Sequence, residues 1–269
     1  IKDREYVLSE LEYNTKDTEE IKGIYNKEDY LEIQQKGYYI ILGDIDLTGG
    51  SYRFGGANMY FEGKIDFNGH KLIRDYYTGS SELFYGIDTN GKLQNIVLDI
   101  YYNMTIERAN VPNLFYSNRG TIENIIINVK ECNELPSSAI KILGDTNSGT
   151  INNFILNYEV PLYVGANTVG MIRQNYGIIK NGYVYGEGIK ATKDATSVNY
   201  YNIVYENKGN GQIKNIFVLS KMNMQEANSS AGGNVTLNNA ESSTTENVYS
   251  VDIEDSIPVT RGPNIYNNS

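Results

Sequence analysis

The chain has 269 residues and a formal charge of -10, from 23 basic and 33 acidic side chains. So acidic a surface repels phosphate, which excludes nucleic acid as an expected partner and disfavours anionic membranes. One Cys, Cys132, rules out an internal disulfide, and one His, His70, rules out an HExxH zinc site.

No stretch is apolar for long enough to insert into a bilayer. The start at Ile1 and the polar end Pro263 to Ser269 are those expected of a piece excised from a larger chain. The 24 Tyr, 7 Phe and 5 Pro, with no Trp, suit a chain built of many short strands.

In chain order, residues 1–37 read as an N-terminal cap with one short helix. Asn26 is its N-cap, Glu28 and Asp29 occupy the first turn, and Gly37 stops it. A strand follows over residues 38–47, placing Asp44 and Asp46 on one face. Residues 61–72 come next, with Asn68-Gly69 as a turn and Asp66 and His70 beside it.

One pattern then recurs: Gly, any residue, a β-former, any residue, Asn, and an apolar-rich strand. It begins at Gly91, Gly120, Gly149, Gly177 and Gly211, with a worn copy at Ser243, so the starts lie 29, 29, 28, 34 and 32 residues apart. Helical repeats of this period need segments of about 10 residues or more with 3.6 periodicity, and these segments are shorter and rich in Ile, Val, Tyr and Phe. The expected fold is all-β, a right-handed parallel β-helix over residues 38–253 with a short N-terminal capping helix and a C-terminal linker over 254–269.

In that fold Gly supplies positive φ at the turn, the third position faces the core, and Asn occupies the next bend. Stacked one per rung, Asn95, Asn124, Asn153, Asn181 and Asn215 form an amide ladder, in which Asn124, Asn153 and Asn181 are expected to stack in adjacent rungs with buried side chains. Ile125, Ile127 and Ile151 are core candidates. The stretch Asn228 to Asn234 reads as a loop inserted inside the last full rung.

Candidate chemistry is sparse. Asp44, Asp46 and Asp66 could in principle act as paired acids, and acids at strand ends of an acidic protein ordinarily just face water. Tyr-Tyr pairs at 38/39, 76/77, 101/102 and 200/201 place one ring of each pair outward. Tyr77, Tyr102 and Tyr201 are the resulting binding candidates, since a Tyr ring suits peptide or sugar contacts. No catalytic residue, metal ligand or cofactor is expected in the chain.

Ile24 to Leu31, Gly37 to Leu47 and Phe61 to Leu72 together resemble the opening of the N-terminal region of immunoglobulin A protease-type zinc metalloproteases of Gram-positive bacteria. Units such as Val169 to Asn181 are similar to that region's short Gly-rich repeats, and the likeness covers roughly residues 24 to 250. The resemblance implies a non-catalytic β-helix lying before a catalytic domain that binds zinc. It implies a secreted, cell-wall-attached parent, with the linked catalytic domain or a host glycoprotein such as immunoglobulin A as partner. An adhesin-type binding solenoid is the alternative, and a carbohydrate-active β-helix enzyme the third reading.

Overall fold

The computed structural model describes residues 21–50, 52–54, 59–75, 82–102, 113–132, 140–164, 167–192, 198–223, 230–233, 235–254 and 257–261. Through these the chain winds as a parallel β-helix. Its first sheet stacks Ile21–Ile24, Tyr38–Ile41, Lys64–Asp66, Lys92–Tyr102, Thr121–Cys132, Thr150–Tyr158, Ile178–Ala191, Gln212–Asn223 and Thr244–Glu254 in that order. The six strands from Lys92–Tyr102 to Thr244–Glu254 are parallel neighbours and bound five full turns. A second sheet carries the return strands, among them Glu82–Ile87, Asn113–Asn118, Ile140–Asn147, Asn167–Asn175 and Val204–Asn207.

The repeat's positions translate directly into this architecture. Asn95, Asn124, Asn153, Asn181, Asn215 and Asn247 all lie at φ between 53° and 58°, the left-handed conformation that Asn tolerates and most residues avoid. Each makes a bend that splits its strand into two flat runs. Before the bend, Leu93, Ile122, Ile151, Ile179 and Ile213 stack in register, all fully buried. After it, alternate residues point inward, so Ile125 and Ile127 join the core as expected. Gly182 stands in the inward position opposite Phe154, where a Cβ would lie 2.1 Å from the ring.

The repeat glycines have a different reason from the one expected. Gly120, Gly149 and Gly177 are absent from the positive-φ residues. Instead a Cβ on each would fall 2.1 to 2.2 Å from the carbonyl oxygen of the repeat glycine one rung earlier. Backbone stacks on backbone there, and only hydrogen fits.

At the N-terminal end a helix spans only Lys27–Leu31, with Asn26 Oδ1 accepting from the Asp29 N–H at 3.0 Å. It buries Tyr30 and ends six residues before Gly37. The sheet already begins at Ile21–Ile24, which pairs with Tyr38–Ile41, so the solenoid intrudes on the expected cap. Residues 1–20 of that cap lie outside the described residues.

Two expectations at the far end need correction. Within the stretch read as an inserted loop, Ser230–Gly233 pairs in parallel with Val198–Tyr201, and Thr236–Asn239 follows against Val204–Asn207. Within the expected linker, Ile257–Arg261 pairs antiparallel with Thr244–Glu254 and covers that edge of the first sheet. The rest of the linker, residues 262–269, is outside the described residues.

Candidate functional site

The outward face of the first sheet carries a continuous apolar column. Two residues after each bend Asn, the register aligns Val97, Ile126, Ile155, Tyr183, Phe217 and Tyr249. Alternation sends these side chains to solvent while their neighbours on either side fill the core. Ile126 is 38% exposed, Phe217 40% and Tyr249 58%. Tyr183 stacks on Phe217 with ring centroids 5.6 Å apart, and on Tyr185 at 5.1 Å. Five rung spacings make the column about 24 Å long.

Uncharged amides line one side of it. Asn124 Nδ2 donates to Asn95 Oδ1 at 2.9 Å, and Asn153 Nδ2 to Asn124 Oδ1 at 3.1 Å. Asn215 donates to Asn181 at 3.0 Å and Asn247 to Asn215 at 3.1 Å, while Asn181 turns to Asn152 Oδ1 at 2.8 Å. On the other side Asn157 donates to Asn128, and Asn128 donates to Asp99, whose carboxylate is buried and faces the Lys71 ammonium at 3.6 Å. Tyr185 and Leu219 continue that flank. Beyond these flanks formal charge returns on both sides, in pairs such as Lys92–Glu123 and Lys214–Glu246 beyond the first ladder and Lys130–Glu159 and Lys221–Glu187 beyond the other flank.

The expected ladder therefore exists with one break in its sequence of bonds, and its side chains are not buried. Asn124, Asn153, Asn181 and Asn215 are exposed, and Asn95 is half-buried. A second, unexpected ladder is the buried one. Asn118 Nδ2 donates to Asn147 Oδ1 at 2.7 Å, Asn147 to Asn175 at 2.8 Å and Asn175 to Asn207 at 2.8 Å, all four fully buried. These amides also bond the backbone where the chain turns into the repeat, as when Asn118 Oδ1 accepts from the Gly120 N–H at 3.1 Å.

The Tyr candidates fare differently. Tyr102 and Tyr201 are completely buried, their hydroxyls without a partner among the described residues, and burial raises both phenols far above the ordinary range. Neither can meet a ligand. Tyr77 lies outside the described residues. Outward rings do cluster elsewhere, at Tyr183, Tyr185, Phe217 and Tyr249, with a smaller group of Tyr60, Tyr85 and Tyr116 on the second sheet. There Tyr85 stacks on Tyr116 at 5.4 Å, Arg119 sits 4.4 Å over Tyr60, and Arg53 sits over Tyr85 while paired to Glu82.

The acids considered for chemistry are engaged in turns. Asp44 Oδ1 accepts from the Lys71 N–H at 2.9 Å and lies 3.4 Å from His70 Nδ1. Hydrogen bonds from Thr48 hold Asp46 below the usual carboxylate range, which suits a turn and not a general acid. Asp66 accepts from the Asn68 N–H and from the Gln94 and Asn95 amides. Burial pushes the Cys132 thiol up to about 12, against a weaker opposing pull from the Tyr163 N–H. Among the described residues no three His, Cys, Asp or Glu side chains converge as a metal-ligand set.

No family model, curated protein or solved structure gives a significant match to this chain. The likeness to immunoglobulin A protease-type metalloproteases therefore rests on the residues quoted for it.

Proposed function

We propose that this chain is a non-catalytic binding rod, an accessory β-helix of a secreted, surface-attached zinc metalloprotease, which docks the parent's glycoprotein substrate. The supporting observation is the six-rung apolar column, bordered by uncharged amides in a protein of charge -10. Exposed apolar side chains aligned over so many rungs go beyond the scattered single residues of an ordinary surface. Flat rings with amide donors and acceptors beside them suit an extended, uncharged partner, whether polypeptide or glycan. The protease assignment rests on the opening cassette and the Gly-rich repeats, and zinc would belong to the parent's catalytic domain.

Such binding depends only modestly on salt, because charge is peripheral to the column. The test is deletion of the rod from the parent, or Phe217→Ala with Tyr249→Ala within it. Either should weaken cleavage of intact immunoglobulin A more than cleavage of a short peptide. Equal losses would make the rod a folding support. No loss in either, with binding to host surfaces retained, would favour the adhesin-type solenoid.

A further inference from the structure

The outer face of the second sheet carries a cluster of different chemistry from the apolar column. Tyr85 and Tyr116 occupy one position on neighbouring rungs, since Phe84 pairs with Phe115 and Gly86 with Ser117. Their rings stack at 5.4 Å, and Tyr60 meets Tyr85 edge-on at 5.7 Å. Tyr60 lies over Gly86, where a Cβ would fall 2.2 Å from its ring. The missing side chain leaves a path for Arg119, two rungs on, to reach back over Tyr60 at 4.4 Å.

Arg119 differs from the other cations around it. Arg53 pairs with Glu82, and Lys141 and Arg173 both pair with Asp145. Arg119 is exposed, and among the described residues it makes no ion pair. Asp88, at the same turn one rung earlier, accepts instead from the Thr89 N–H and hydroxyl. A guanidinium held against a ring, but without a carboxylate, keeps its fork of donors for a ligand anion.

Beside the rings runs a strip of uncharged polar groups. Ser117, Thr146 and Gln174 follow Gly86 in register, and all three are half-buried. From Tyr85 to Arg173 no aliphatic residue stands in either row, so the anchoring side chains of a peptide would find no apolar pocket. A saccharide matches the face better. Phenol rings suit the apolar side of a sugar, and hydroxyls and an amide suit its hydroxyl groups.

We propose that this face binds an acidic saccharide. Arg119 takes its carboxylate or sulfate, Tyr60 and Tyr116 bear on the sugar ring, and Ser117 and Thr146 bond its hydroxyls. The chain's charge of -10 repels polyanions at long range, which favours a sugar with a single anion over a densely charged polymer. This is a second site, on the other sheet from the apolar column, and it stands whether or not that column docks a substrate.

Calorimetric titration of the full chain with lactose, sialyllactose and sulfated lactose tests it. One of the acidic sugars should bind about tenfold more tightly than lactose, and the one that does names the anion as carboxylate or sulfate. Arg119→Gln should remove that advantage and Arg119→Lys should restore only part of it, with melting unchanged in both because the side chain is exposed. Tyr116→Ala should weaken the acidic sugar as well, whereas Phe217→Ala, on the column, should leave it unaffected. Equal affinity for all three sugars, no binding of any, or an Arg119→Gln variant that binds like the parent would overturn the proposal. A loss confined to Phe217→Ala would overturn it by moving the sugar to the first sheet, and a glutamate-rich peptide that binds as tightly would overturn the saccharide.

Discussion

The two asparagine ladders use one side chain for opposite purposes. At the bend of the first sheet, Asn124 and Asn153 face water, and what the fold takes from them is a left-handed backbone. At the turn out of the second sheet, Asn147 and Asn175 are wholly buried in ordinary backbone conformation, and what the fold takes from them is the amide. The same residue repeated at the same interval thus has a conformational role in one place and a bonding role in the other. Stacking by itself does not say which.

The contrast predicts a graded set of losses. Asn147→Ala should destabilise most, by about 2–4 kcal/mol, because it strands buried groups on Asn118 and Asn175. Urea denaturation checks this, and a loss below about 1 kcal/mol would mean the buried ladder is not a bonding device. Asn147→Gly should be no better, since backbone freedom is irrelevant there.

The next effect is expected from acid, at a buried carboxylate beside the buried ladder. Asp145, two residues before Asn147, is itself buried. Burial raises its pKa, but bonds from Arg173 at 2.7 and 2.8 Å and from Lys141 outweigh that and leave it lowered. A carboxyl lowered by folding stabilises fully above its unfolded pKa of about 3.9, and that contribution is lost as pH falls through the folded value. Stability measured by melting should therefore fall below about pH 4, and Arg173→Met should shrink that fall, because it raises the folded pKa of Asp145 back toward the unfolded value. An unchanged acid profile in that variant would remove the pair from the account.

Asn153→Ala should cost about 1–2 kcal/mol, the strain of a β-carbon in left-handed backbone. The smallest effect belongs to Asn153→Gly, which should recover about 1 kcal/mol of that loss although it removes the side chain entirely. If Gly were as damaging as Ala, the exposed amide would matter after all.

The sequence's Gly-x-β-x-Asn spacing sufficed for the solenoid, its core isoleucines and the five bend asparagines, because a bend recurring every rung must repeat its residue. Burial was less legible. The buried ladder sits two residues before Gly120, Gly149 and Gly177, in plain view but without a conformational signature to separate it from loop asparagine. A Tyr-Tyr pair has no parity of its own, so the pair at 101/102 does not say which ring faces out. Counting from Asn95 supplies one: odd offsets, Ile96, Leu98, Ile100 and Tyr102, all point inward. The same count reaches Ile126 and Phe217 at even offsets, and the apolar residue two places after every bend Asn was the available signal for the outer column. The reason for the repeat glycines is hidden too, because crowding between rungs is invisible in a single rung.

The regular register also governs how such a chain finds its fold. Every ladder contact joins residues 28 to 34 apart, whichever rung is considered. The closure entropy for adding a rung is therefore nearly constant, and it does not grow as the rod lengthens. The first pair of rungs bears the nucleation cost, after which each new coil condenses on a finished template. A coil that lands one residue out of register would turn its Asn away from the waiting amide and its isoleucines toward water. Slipped rungs should accordingly reopen faster than they can be built upon, which keeps folding errors local to the growing end.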